Sequence, residues 1–494
     1  MPRHPAYSGL AAHFERIHRL RHAAAMLAWD RATMMPPGGS GARARAEAEV
    51  LGQVHALLAD PDLAPRLDAA AGEDLDDWQR ANLGGMQRQR DEAVRIPAEL
   101  VARRTLVNAA CEHGWRQQRA ANDWAGFLPA FREVVAVARD EARHLSAGAT
   151  GGAYDALMAR YEPGFSAARF ETLFAPLVDR LPDLVRRARL PARAASTLPA
   201  SCPVPRQRAL CREIAALLGF DFGRGRLDES AHPFTGGVPG DVRITTRFDP
   251  ADPLAAINST IHECGHARYV QGLPEAWHGQ PVGEPRSFGI HESQSLGIEM
   301  QLARSPAFCG LLAPLLAQHL GMPEDPATLH AHLTRVEGGR IRVRADEASY
   351  PLHVVLRFRI ERALIEGEIE ADDLPAMWDA GMAELLDIDT RGDYRDGCLQ
   401  DIHWTKGAFG YFPSYTLGAM VAAQLFAALR REHADLDSRV ADGDLSPVFD
   451  WLATHIWSRA SRFDTDTLIR LATGQAIGPD DYLRHLERRY GEAG

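Results

Sequence analysis

Apolar side chains in this chain recur at three- and four-residue intervals over long stretches, and that period limits its possible folds more than any other feature. Leu10, Phe14, Ile17 and Leu20 form one such row, Leu128, Phe131, Val134 and Val137 a second, and Leu352, Leu356, Ile360 and Leu364 a third. One face of an α-helix has this spacing, so the chain is expected to be mainly α. A single segment reads as a strand instead: Asp241-Val-Arg-Ile-Thr-Thr-Arg-Phe248, rich in β-branched residues and bounded by Gly240 and by Asp249-Pro250. Breaks are expected at Met34 to Gly39, Gly148 to Gly152, Pro191 to Pro205 and Gly236 to Gly240. Composition does not change along the chain, so residues 1–494 are read as one domain, with 1–230 as an optional helical N-terminal subregion.

The 494 residues, 46% of them hydrophobic, are enough to bury one large core or two medium ones. The net charge of −11 is spread over short clusters, which argues against a nucleic-acid footprint or a polybasic membrane patch. Positive charge is almost all arginine, Lys406 being the one lysine, so any arginine given a function needs separate support. Six scattered cysteines contain no Cys-x-x-Cys pair, so no thiolate metal site or disulfide framework is expected and a reducing compartment fits. The longest apolar stretch, near Leu417 to Leu429, is interrupted and too short to span a bilayer, and no export signal is read at the N-terminus. A cytoplasmic location is expected.

Chemistry enters directly after the predicted strand. Asp252 is suited to cap a helix with Pro253 at its first position, and the helical pattern runs to Val270 before Gly272 can close it. Inside it lies His262-Glu263-Cys264-Gly265-His266. Two histidines four apart stand on one helix face, where both imidazoles can reach one tetrahedral metal. Glu263, offset by about 100°, can reach a metal-activated water without being a ligand. Such a carboxylate takes a proton from water as it attacks a carbonyl, which is hydrolytic chemistry. A third protein ligand is still required, and Glu284, His291, Glu292 and Glu299 are available. A second helix begins near Ser287, and spacing alone does not choose between Glu292 and Glu299, which share one of its faces.

Five motifs carry a resemblance that spans nearly the whole chain. They are His262 to His266; His291-Glu292-Ser293-Gln294; Asp241-Val-Arg243-Ile-Thr245; Ile341-Arg342-Val-Arg-Ala345-Asp346; and Gly397-Cys-Leu-Gln400-Asp401-Ile-His403-Trp404. Together they resemble the carboxypeptidase Taq family of zinc metallocarboxypeptidases, as do Tyr161-Glu-Pro-Gly164, His232-Pro-Phe-Thr235 and Gly407-Ala-Phe-Gly-Tyr-Phe-Pro413. One departure stands out. The family usually continues Ser-Arg-Leu-Trp-Glu-Asn after His-Glu-Ser-Gln, whereas this chain reads Ser295-Leu-Gly-Ile-Glu299-Met300.

The resemblance implies a zincin-like helical metallopeptidase with a deep central groove, a small β-sheet beside the metal-binding helix, and assembly as a homodimer. It implies release of single C-terminal amino acids from peptides with a free C-terminus. It makes Glu292 the third ligand of Zn²⁺, with Co²⁺ or Mn²⁺ as substitutes, and Arg342 the anchor for the substrate carboxylate, with Arg243 as second choice. A guanidinium fork suits that task, and Asp346, one turn from Arg342, is expected to orient it. Asp241, Arg243 and Thr245 share one face of an edge strand that can line the cleft. His403 and Tyr411 are the expected oxyanion donors, with Tyr415 and His232 as further cleft residues. The alternatives are an endopeptidase or oligopeptidase of the same helical class, which needs no carboxylate anchor, and a peptide-binding relative without turnover.

Overall fold

The computed structural model describes residues 4–148, 151–189, 201–322 and 325–491. The expected breaks at 148–152 and 191–205 therefore lie partly outside the described residues. Helices α1 (Pro5–Thr33), α2 (Ser40–Leu58), α3 (Leu63–Ala71) and α4 (Asp77–Arg95) gather Leu10, Phe14, Ile17, Leu58, Leu63, Leu67 and Met86 into a small core of their own. The first predicted apolar row is thus the inner face of α1. Asp76 starts α4 with a capping box, its carboxylate accepting from Gln79 N while the Gln79 side chain accepts from Asp76 N.

A second, larger core takes in the rest of the chain. It begins with α5 (Ala98–Ala120), α6 (Trp124–Ser146), α7 (Ala153–Met158), α8 (Ala167–Ala188) and α9 (Val204–Leu217). The row Phe131, Val134 and Val137 is buried on α6, with Leu128 at its margin.

A three-stranded sheet follows: β1 (Gly225–Glu229), β2 (Thr235–Val238) and β3 (Asp241–Thr246), in the order β1-β3-β2. β3 pairs parallel with β1 and antiparallel with β2. Two expectations change here. The Asp-x-Arg-x-Thr segment is the central strand, not an edge. Residues Gly236 to Gly240 are not one break, because β2 runs through the first of them and only Pro239-Gly240 turns. Gly237 (φ 97°) permits this tight return: a Cβ there would lie 2.0 Å from Asp241 O. β1, Gly-Arg-Leu-Asp-Glu, has no β-branched residue and gives no strand signal in the sequence.

α10 (Pro253–Gln271) begins as expected, the Asp252 carboxylate accepting from Ala255 N, and Gly272 follows its last turn. The sheet lies against it, with Thr246 Oγ1 donating to Ala256 O at 3.0 Å. α11 (Phe288–Leu296), capped by Ser287, continues directly into a π-helical stretch, Gly297–Ala303. α10 and α11 meet at Gly265, where a Cβ would fall 2.5 Å from Ser295 Cα and 2.6 Å from Gln294 O. Only glycine allows this backbone contact.

The remaining helices are α12 (Pro306–Leu320), α13 (Pro326–Leu333), α14 (Tyr350–Glu366), α15 (Leu374–Leu386), α16 (Pro413–Glu432), α17 (Leu436–Ala441), α18 (Ser446–His455), α19 (Thr465–Thr473) and α20 (Asp480–Tyr490). Leu352, Leu356, Ile360 and Leu364 are buried on α14, the third predicted row. The apolar stretch Leu417 to Leu429 is part of α16 in the larger core, and no helix among the described residues is long and apolar enough to cross a membrane.

Candidate metal centre

Two turns of α10 and one of α11 supply the donors. One ligand atom each from His262, His266 and Glu292 lies within 4.8 Å of the others. His266 Nε2 is 3.3 Å and His262 Nε2 4.0 Å from Glu292 Oε2. What aims the imidazoles is the other ring nitrogen. His262 Nδ1 is 2.8 Å from Glu299 Oε2, and His266 Nδ1 is 3.0 Å from the carbonyl of His291. With each Nδ1 on an oxygen outside the site, and His266 Nδ1 also 2.5 Å from His291 Nδ1, both Nε2 atoms are aimed at Glu292, the edge on which a cation would displace their protons. Glu299 is in turn held by Arg304, whose Nη2 donates to its Oε1 at 2.7 Å.

The choice the spacing leaves open between Glu292 and Glu299 has a structural reason. The π-helical stretch after Leu296 lets Glu299 turn to the back of His262 while Glu292 faces the Nε2 atoms. Burial resists charge on the Glu292 carboxyl, but His262 and His266 outweigh it and keep it below its ordinary range. For His262, burial lowers the pKa, but Glu292 and Glu299 outweigh it and raise it to about 10. A site of this polarity favours a cation, and the donor set of two imidazoles and one carboxylate fits a divalent metal.

Glu263 is buried beside the ligands, and its Oε2 accepts from Thr235 Oγ1 at 2.6 Å. The same hydroxyl lies 3.1 Å from the Glu263 carbonyl, so its one proton is shared between two oxygens of Glu263 and ties that residue to β2. Thr235 belongs to the His-Pro-Phe-Thr motif but had no assignment from sequence. His232, at the start of that motif, is exposed, and no hydrogen bond joins its ring to the metal-site residues among those described.

The Ile-Arg and Gly-x-x-Gln-Asp motifs bind each other. Arg342 Nε and Nη2 donate to Asp401 Oδ1 at 3.0 and 2.9 Å, its Nη1 donates to Tyr350 Oη at 2.9 Å, and Gln400 Oε1 accepts from Arg342 N. The expected Asp346 contact is not made: Asp346 accepts instead from the backbone of Gly338 and Ser349. Arg357 takes the other face of Asp401, its Nε 2.6 Å from Oδ2. Burial raises the Asp401 carboxyl, yet the two guanidinium groups hold it well below the carboxylate range.

The rings of Phe412 and Tyr415 each lie 5.2 Å from the Arg342 guanidinium carbon. His403 stacks on Tyr411 with centroids 5.5 Å apart, and its Nε2 is 3.4 Å from Tyr415 Oη. Burial, reinforced by Arg342, lowers the His403 pKa to about 4, so the ring is neutral at pH 7. Burial also raises Tyr411 and Tyr415, which keep their phenolic protons. Arg243 is engaged otherwise, since its Nε and Nη2 donate to the two oxygens of Asp241 at 2.8 Å and its fork is closed. Lys406 is exposed, and among the described residues its backbone alone is engaged, the N–H donating to the His403 carbonyl and the carbonyl accepting from Asn108.

The family model for carboxypeptidase Taq (M32) metallopeptidases matches residues 9–490. The chain belongs to the carboxypeptidase Taq family. It is 36% identical to thermostable carboxypeptidase 1 of Thermus thermophilus over 98% of both chains, and 30% identical to carboxypeptidase 1 of Bacillus subtilis over 97% of both. The structure of Trypanosoma cruzi metallocarboxypeptidase 1 superposes with a TM-score of 0.95 at 39% identity, covering 98% of this chain and 99% of that one. Its activity is accordingly that of a metallocarboxypeptidase, a hydrolase of peptide bonds that requires a divalent metal.

The departure from the family pattern after His-Glu-Ser-Gln falls on the π-helical stretch. Leu296 and Ile298 are buried, and a Cβ on Gly297 would lie 3.0 Å from the Phe426 ring, so α16 closes over this turn. Glu299, the retained glutamate, is the residue that orients His262. Glu299→Gln should weaken metal binding by about 10–100-fold, as removal of a partner behind a ligating imidazole does. Competition with a chromogenic chelator measures this, and wild-type affinity in the variant would show that His262 needs no orienting carboxylate.

Proposed function

We propose that this metallocarboxypeptidase uses zinc, held by His262, His266 and Glu292, to release single C-terminal amino acids from peptides. The observation that carries the reading is the convergence of two Nε2 atoms and one carboxylate within 4.8 Å, each imidazole having its Nδ1 on an acceptor outside the site. Two histidines, one glutamate and an open fourth position suit a catalytic zinc, for which cobalt or manganese can substitute. Bound there, the cation supplies Lewis-acid polarisation of the scissile carbonyl and acidifies a water.

The chain's own groups do the rest. Glu263, its Oε2 steadied by Thr235, takes the proton of the attacking water and returns it to the leaving amine. Of the five N–H groups of Arg342, three are committed to Asp401 and Tyr350, which leaves two for the terminal carboxylate of a peptide. His403 and Tyr411, a neutral imidazole and a protonated phenol, donate to the oxyanion, and Tyr415 lines the Arg342 side of the same pocket. Arg243 and His232 are left out of the substrate contacts, the first because Asp241 holds its fork and the second because it stands exposed. Arg243 then braces β3, over the ring of Trp29.

The family resemblance also supports a homodimer and a cytoplasmic location, and six buried, unpaired cysteines fit a reducing compartment. Sedimentation should give twice the mass of one chain; a single-chain mass at micromolar concentration would remove the dimer.

Peptides with a free C-terminus should be cleaved far faster than the same peptides amidated. Arg342→Lys keeps the charge but loses the fork, and should cut kcat/KM on free acids about 10–100-fold, the worth of a charged hydrogen bond. Its effect on amides should be small. Equal rates on acid and amide in the wild type would instead favour an endopeptidase.

A further inference from the structure

One buried carboxyl that the proposed chemistry does not use holds both ends of the loop carrying two of its donors. Glu361, on α14, is fully buried. Its Oε1 accepts from Trp404 Nε1 at 2.8 Å, and its Oε2 accepts from Gly410 N and from Tyr154 Oη, each at 2.9 Å. Trp404 directly follows His403, and Gly410 directly precedes Tyr411. A single side chain therefore ties down the neighbour of each proposed oxyanion donor.

The loop has little freedom to relax around this clamp. Gly410 sits at φ 87° with its Cα face pressed on α7: a Cβ there would lie 2.8 Å from Met158 N and Cα. The Trp404 ring is buried and meets Trp378 edge to face at 6.0 Å. All three groups on Glu361 are uncharged, so the carboxyl loses its hydration without gaining an ion pair. An apolar residue in its place would leave Trp404 Nε1–H, Gly410 N–H and Tyr154 Oη–H buried without an acceptor. What the carboxyl adds is geometry: two acceptor atoms at a fixed spacing, one for each end of the loop.

We propose that Glu361 is a positioning residue that sets the distance and direction between His403 and Tyr411. The proposal rests on the reading of those two side chains as oxyanion donors. Glu361 touches neither of them and acts only through Trp404 and Gly410.

Glu361→Gln is nearly isosteric but carries only one acceptor oxygen. Its amide N–H₂ must face either Trp404 Nε1–H or Gly410 N–H, so one end of the loop is released whichever way it turns. The expected result in the metal-loaded enzyme is a fall in kcat of up to about 100-fold with KM and metal content unchanged, as small misplacements of catalytic groups produce. Combined with Tyr411→Phe or His403→Gln, it should add less than the product of the separate losses. Tyr154→Phe removes the third donor without touching the loop and should lower the melting temperature with little change in kcat. Trp404→Phe, which frees the His403 end alone, serves if Glu361→Gln does not fold.

Wild-type kcat per metal-loaded chain in Glu361→Gln or Trp404→Phe, or losses that multiply fully with Tyr411→Phe and His403→Gln, would overturn the positioning role. Loss of kcat only in proportion to lost metal would overturn it as well. Wild-type kcat in Tyr411→Phe and His403→Gln would instead sink the oxyanion reading.

Discussion

The site depends first on the backbone contact between α10 and α11. Gly265 lets Gln294 and Ser295 approach to a distance that no side chain permits, and this approach is what brings His262 and His266 to Glu292. The same device recurs behind α11. A Cβ on Gly418 of α16 would lie 2.7 Å from Glu292 Cβ, and one on Gly289 would lie 2.8 Å from Leu417 Cδ2. The ligand helix is thus pressed between two others at glycines, and Glu292 has almost no room to turn away. Packing of this kind fixes ligands more firmly than surface loops can.

Around that contact the charges are arranged in pairs that serve the site. Glu299, between His262 and Arg304, converts one imidazole into an oriented donor. Asp401, between Arg342 and Arg357, holds a guanidinium in a pocket of aromatic rings with two of its N–H groups still uncommitted. Buried charge of this density costs folding free energy that apolar residues would not. Its distribution fits the proposed chemistry: negative charge converges on His262 and His266, and positive charge stands at Arg342, the proposed anchor for a peptide's terminal carboxylate.

Much of this was legible in the sequence, for identifiable reasons. The apolar rows on α1, α6 and α14 repeat with the helical period, and Asp252, Pro253 and Gly272 mark the ends of α10 by their own backbone preferences. His262, Glu263 and His266 are readable because their relation is local to one helix. β1 was not, since Gly-Arg-Leu-Asp-Glu is a strand only through its partner β3. Thr235, Tyr350 and Glu361 were missed because each acts on a residue far away in sequence. Asp401 lies 59 residues from Arg342 and has no local relation to it, whereas Asp346, one turn away in sequence, is the partner that spacing predicts. Local spacing is informative within an element and silent about which elements meet.

The central claim is that His262, His266 and Glu292 hold one catalytic cation while Glu263 does the proton transfer. Titration of the metal-stripped enzyme with zinc, read as bound metal and recovered activity in wild type, Glu292→Gln and Glu263→Gln, tests it most directly. The account predicts one tightly bound cation per chain in wild type and in Glu263→Gln, with turnover restored only in wild type, and markedly weaker binding in Glu292→Gln. Wild-type metal affinity in Glu292→Gln, or near-normal turnover in Glu263→Gln, would contradict it.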